Sequence, residues 1–139
     1  AEMRRSPIKR TPLRRTRFTR KRSKALRMIL LPEFKRRIRA RDKTCRKGGD
    51  CGGHLEASHI YPVGSWPLLA LYPLNCIALC ARHHRHTFWH KSPGQAWPWF
   101  LATYPQAWRD QLEAMRGQHL SRKRMTEDEI RAEWKAYGL

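Results

Sequence analysis

The stretch "LEASHIYP", residues 55–62, carries a single histidine, His59, inside a short apolar run. Such a histidine is ordinarily a hydrogen-bonded core or surface residue, so its company decides whether it is more. Upstream lies "CRKGGDCGG" (45–53), two cysteines among four glycines, which cannot be regular structure and reads as a tight hook. Downstream lies "LNCIALCARHH" (74–84), with two more cysteines and two histidines. "HLEASHI" and "LNCIAL" are strand-length and bounded by Gly, Pro and Asn, so they predict a hairpin with a long connection. That connection, "YPVGSWPLLALYP", holds three prolines and has the length of a functional loop.

Cysteine and histidine are the ligands zinc prefers, and a structural zinc takes four of them in a tetrahedron. Four cysteines at unequal spacing, mixed with histidine and without a secretion signal, favour metal over disulfides. Cys45 and Cys51 on the hook, with Cys80 and His83 beyond the second strand, form the expected set. Cys76 is an alternative to His83, although mid-strand it also suits a small packed side chain. Four free thiols in a reduced protein is the reading without metal. A domain with this little core gains from a metal staple.

Charge points to the partner. The 139 residues carry 30 Lys plus Arg against 11 Asp plus Glu. Residues 4–24 alone hold eleven basic side chains, among them Arg14, Arg15, Arg17, Arg20, Lys21 and Arg22, and no acid. Such a block repels itself, buries no core and attracts a polyanion. Nucleic acid fits, since each neutralised phosphate releases a counterion. An anionic membrane fits less well, because the block lacks the Leu/Phe/Trp stripe of an interfacial helix. No run approaches a transmembrane length, and "MILL" is too short for a signal-peptide core, so a cytoplasmic protein is expected. Ala1 and Glu2, ahead of Met3, are expected to be foreign to the natural chain.

These features predict an α+β chain in four parts: a flexible basic arm (1–24), a helical lead-in (25–44), the cysteine- and histidine-bearing core (45–92) and C-terminal helices (93–139). Within the lead-in a short helix is expected over residues 31–42, with Pro32 at its first position and Phe34, Ile38 and Arg41 at helical spacing. Residues 81–90, free of Pro and Gly, predict another helix. Ser92 and Pro93 mark a fresh start, after which Trp97, Phe100, Leu101 and Tyr104 line one face. Trp108, Leu112 and Met115 repeat that pattern. Thr126 with Glu129 forms a capping box opening a last helix with Ile130, Trp134 and Tyr137 on one side. These aromatics are expected to pack rather than to stack on bases.

The order of hook, "SHI", loop, "LNCIALC" and "HH" resembles the HNH endonucleases, the ββα-metal or His-Me finger nucleases. The match covers residues 45–92, and its motif positions are His59, Asn75 and His84. With "FWHKSPGQAWPWFLATYP" added, the chain is similar to a phage- and prophage-type HNH group that includes proteins of the NinG kind, linked to recombination and branched DNA. The resemblance implies a ββα-metal core, DNA as partner, His59 as general base and Asn75 as the residue that orders the loop. It also implies a divalent cation, Mg²⁺ or Mn²⁺, distinct from the zinc and bound by His84. His90 or Ser58 would contribute to that cation's shell. Ser58 departs from the pattern, since an Asp or His ligand often precedes the motif histidine. Glu56 lies two residues back on the same strand face, and His86 and His90, four apart, could also share an ion. Arg82 and Arg85, beside the site, are candidates for phosphate contact or equally for a solvated helix surface. A junction-cleaving enzyme would need two active sites, hence a homodimer, and a phage-encoded one would work in the host cytoplasm. The alternative is a zinc-stapled nucleic-acid-binding protein without catalysis.

Overall fold

The hairpin forms at the expected place in the computed structural model, which describes residues 17–119 and 125–139, with side chains from residue 22 onward. Strand β1 (Leu55–His59) pairs antiparallel with β2 (Cys76–Cys80), setting Leu55 opposite Cys80 and His59 opposite Cys76. All five residues of β2 are buried, because helices cover both faces of the two-stranded sheet, and a strand covered twice has no polar face to alternate. Ile77 and Leu79 enter one core with Phe88, Phe100, Tyr104 and Leu112. Cys76 enters the other with Leu30, Phe34, Ile38, Ile130 and Trp134. The chain is α+β, and its sheet is the wall between two apolar layers.

Helix α1 spans Arg17–Asp42 and is much longer than the sequence suggests. Pro32 lies inside it rather than at its start, and residues 17–24, read as flexible arm, belong to it. No Pro or Gly interrupts residues 17–31, and Arg, Lys, Ala, Leu and Met are good helix formers. An internal proline forfeits one backbone hydrogen bond and crowds the preceding turn. Burial of Leu30, Phe34 and Ile38 at four-residue spacing offsets that cost. At the far end Arg41 donates to the carbonyls of Pro73 (2.9 Å) and Cys76 (2.7 Å), while Asp42 accepts from the Ala78 N–H (2.8 Å). The helix end is thereby clamped to β2. Residues 1–16, with Arg14 and Arg15, lie outside the described residues, as do the side chains of Arg17, Arg20 and Lys21.

Residues 81–90 form no α-helix. They make a wide turn over Arg82–His86, closed by bonds from Thr87 N–H to Arg82 (2.9 Å), Trp89 N–H to His83 (2.6 Å) and His90 N–H to His84 (3.1 Å). Helix α2 (Pro93–Thr103) begins at Pro93 as expected, though the Ser92 side chain makes no capping bond. Its buried face is Ala96 and Phe100, continued by Tyr104 just past its end, while Trp97 and Leu101 are 36% and 40% exposed. That corrects the face expected for them. Helix α3 (Gln106–Gly117) buries Leu112. Helix α4 (Glu127–Ala136) opens on the Thr126/Glu129 capping box, both bonds present, and buries Ile130 and Trp134. A cap of this kind contributes about 1 kcal/mol.

Candidate functional site

The hook folds back onto the end of β2. Gly48 and Gly49 both adopt φ near +66°, a left-handed conformation that side chains disfavour. Gly53 passes so close to Ala81 that a Cβ there would sit 2.8 Å from the alanine methyl. Backbone bonds from Ala81 to His54 (2.9 Å), Arg82 to Gly52 (3.0 Å) and Arg46 to Ala78 (2.9 Å) lock the arrangement. The result brings Cys45, Cys51, Cys80 and His83 together, with all four donor atoms within 4.8 Å of one another. His83 Nδ1 lies 3.3 Å from the sulfurs of Cys45 and Cys80 and 3.8 Å from that of Cys51. Burial pushes the Cys80 thiol up, but N–H groups of His83 and Gly52 outweigh it and hold the thiol below its ordinary value, which favours the thiolate that metals bind. Three sulfurs and one imidazole nitrogen at these separations can hold a metal such as zinc. Cys76 stands apart, fully buried against α1, its thiol pushed up to about 12 by burial. It packs and does not replace His83.

On the other side of the hairpin a cleft of about 510 Å³ is lined by His59, His84 and His90, with Lys35 from α1 and Trp97 from α2. His59 Nε2 lies 2.8 Å from the Ala70 carbonyl. A carbonyl only accepts, so Nε2 carries the proton and Nδ1 is left as the basic nitrogen. Burial holds the His59 pKa below the ordinary 6.5, against the bond to Ala70. Asn75, fully buried, fixes the loop that supplies that carbonyl. Its side chain donates to Tyr61 (3.2 Å) and Leu69 (3.1 Å) and accepts from the Tyr61 N–H (2.8 Å).

His84 is oriented by Glu56, whose carboxylate lies 3.0 Å from Nδ1. Burial raises the Glu56 pKa, but bonds from His84 and Arg85 more than reverse this and keep it ionised. An ionised carboxylate only accepts, so His84 Nδ1 donates and a neutral His84 presents its Nε2 lone pair to the cleft. That nitrogen lies 3.1 Å from His90 Nε2. The wide turn, rather than helical spacing, makes this pair, and it joins His90 to His84 instead of to His86. Two expectations fare differently. Ser58 is 0% exposed, its hydroxyl has no hydrogen-bond partner among the described residues, and it does not line the cleft. Arg85 is committed to Glu56, and Arg82 reaches Asp50 at 3.5 Å.

Lys35 was not singled out in the sequence, yet it lines the cleft, and Arg39, one turn on, lines an adjoining groove with Glu56 and His84. Their four-residue spacing on a helix was the available signal. No protein-family model, curated protein or solved structure matches this chain. Among the described residues, no helix is long and apolar enough to cross a membrane.

Proposed function

We propose that the chain is a metal-dependent endonuclease of the HNH kind that hydrolyses DNA phosphodiester bonds. The observation that carries this is His59, held through one ring nitrogen with the other left basic, facing the same cleft as the paired His84 and His90. In the reaction His59 Nδ1 takes a proton from water, and the hydroxide attacks phosphorus. The P–O3′ bond breaks, leaving a 5′ phosphate, and the departing 3′ oxygen is protonated by solvent. His84 and His90 would hold a Mg²⁺ or Mn²⁺ ion, whose chemistry is to neutralise the phosphate and the leaving oxygen. Glu56 keeps the His84 lone pair aimed at that position. Lys35 offers a cation to the phosphate. Cys45, Cys51, Cys80 and His83 hold zinc in a separate and purely structural role, because a zinc with four protein ligands has no place for substrate.

Incubation with supercoiled plasmid and with a synthetic four-way junction, each with Mg²⁺, Mn²⁺ or chelator, tests the reading. Cation-dependent nicking supports it. Binding without cleavage under every condition would leave the non-catalytic nucleic-acid-binding protein, the reading that buried Ser58 favours.

Two further results are expected. Since burial lowers the His59 pKa, its base form persists below pH 6.5. The acid limb of the kcat/KM profile should therefore fall below that value, and a limb above it would argue against His59 as the base. Deleting residues 1–16, which carry six cations and one acid, should weaken DNA binding and flatten its salt dependence. If about four of these cations meet phosphates, the log–log slope should become shallower by about 3.5. Affinity measured at several salt concentrations decides it, and an unchanged slope removes the arm from the DNA interface.

A further inference from the structure

The cleft is lined by two kinds of side chain. Lys35 with His59, His84 and His90 suits phosphate. Pro62, Val63 and Trp97 supply an apolar part of the wall. Trp97 is 36% exposed, whereas Phe100 on the same helix is buried in the core. It is not loose. Tyr61 meets its ring edge-on at 5.7 Å between centroids, and Phe100 lies 5.5 Å away in a tilted contact. Tyr61 is in turn joined to Glu113 of α3 and covered by the Arg116 guanidinium at 5.3 Å. An indole braced in this way and left partly open beside a phosphate-sized cluster of histidines is a preformed stacking surface.

A B-form duplex cannot use it, because it presents sugar and phosphate outward and keeps base faces inside the stack. A nucleotide whose base has left the stack can. Its phosphate would lie at the histidines, and its base on the apolar wall.

We propose that Trp97 is a base-stacking platform that selects DNA carrying an unpaired nucleotide at the position bound in the cleft. This rests on the nuclease reading for the placement of the phosphate. Stacking on an aromatic side chain is tolerant of base identity, so the platform discriminates unpaired from paired DNA rather than one sequence from another. The apolar wall alone would not distinguish a base from any flat ligand. The adjoining Lys35 and the basic chain favour the polyanion.

The test measures binding of a short single-stranded oligonucleotide and of its blunt duplex, without added divalent cation, to wild type, Trp97→Ala and Trp97→Phe. Alanine should weaken single-strand binding about 5- to 150-fold, the range for loss of one base–aromatic stack, and duplex binding by less than about twofold. Phenylalanine should recover most of the loss. A 2-aminopurine in the strand should be quenched on binding wild type and stay bright with the alanine variant. Unchanged single-strand binding, or equal losses on both DNA forms, would overturn the platform. Should Trp97→Ala melt early, Trp97→Leu keeps an apolar side chain without an aromatic face and replaces it. Plasmid cleavage by the wild type separates the two ideas. Cleavage with no Trp97 effect removes the platform and keeps the nuclease, while a Trp97 effect without cleavage removes the nuclease and leaves a platform on a binding protein.

Discussion

Replacing His59 with alanine is expected to lower the rate of DNA cleavage by about 10²–10⁴-fold while affinity for DNA changes little. The expectation follows from what the imidazole does and does not touch. Its Nε2 is used on the Ala70 carbonyl, and Nδ1 is the nitrogen left to accept a proton. None of its bonds reaches the zinc-type cluster, so zinc content should be unaffected. Phe34 stacks beside the ring at 6.3 Å between centroids, so alanine leaves a small cavity and some loss of stability. Thermal unfolding therefore has to be recorded with the rate. His59→Gln, closer in size and able to donate to Ala70 but unable to serve as the base, should be as slow as alanine and melt nearer to wild type. A folded, DNA-binding His59 variant with near-full activity would remove the histidine from catalysis and, with it, the main support for the nuclease reading.

The parts that were legible in the sequence are those set by short-range chemistry. The two strands, expected within 54–60 and 74–79 and found at 55–59 and 76–80, declare themselves by length and flanking Gly, Pro and Asn. The grouping of Cys45, Cys51, Cys80 and His83, which could hold a metal, follows from donor type and from a glycine-rich hook. The capping box at Thr126 is two side chains answering two backbone groups three residues away. Tertiary context decided the rest. Pro32 reads locally as a helix start, and only the burial of Leu30 before it, and of Phe34 and Ile38 after it, shows why the helix runs through it. Residues 81–90 have helical composition, but His83 has to turn toward three sulfurs while His84 faces Glu56 on the other side. A wide turn separates these neighbours as a regular helix would not. Neither the pairing of His84 with His90, six residues apart, nor the exposure of Trp97 was visible in any periodicity.

Loss of zinc is expected to be the most damaging single change to the fold. One zinc per chain should be found by native mass spectrometry with elemental analysis, and Cys80→Ser should abolish it. Apart from the metal the hook is held by a few backbone hydrogen bonds and by Cys45 and Lys47 against the adjacent core, and Gly48, Gly49 and Gly53 add no apolar surface. Structural zinc in small modules contributes about 10–16 kcal/mol at neutral pH. Even half the lower figure, at about 3 °C per kcal/mol for a chain of this size, is a fall in Tm of about 15 °C. Acid should have the same effect as the mutation, because thiolates must be deprotonated to bind metal. Cys76→Ser is the control that makes the result specific. It places a hydroxyl in a fully buried apolar site and should cost about 1–3 kcal/mol, yet the zinc should remain. The helical layers carry their own cores, so the Cys80→Ser chain should keep most of its helical circular dichroism at low temperature while losing the hook. A chain that unfolds cooperatively at the wild-type temperature with no zinc bound would show that these four donors meet for some other reason.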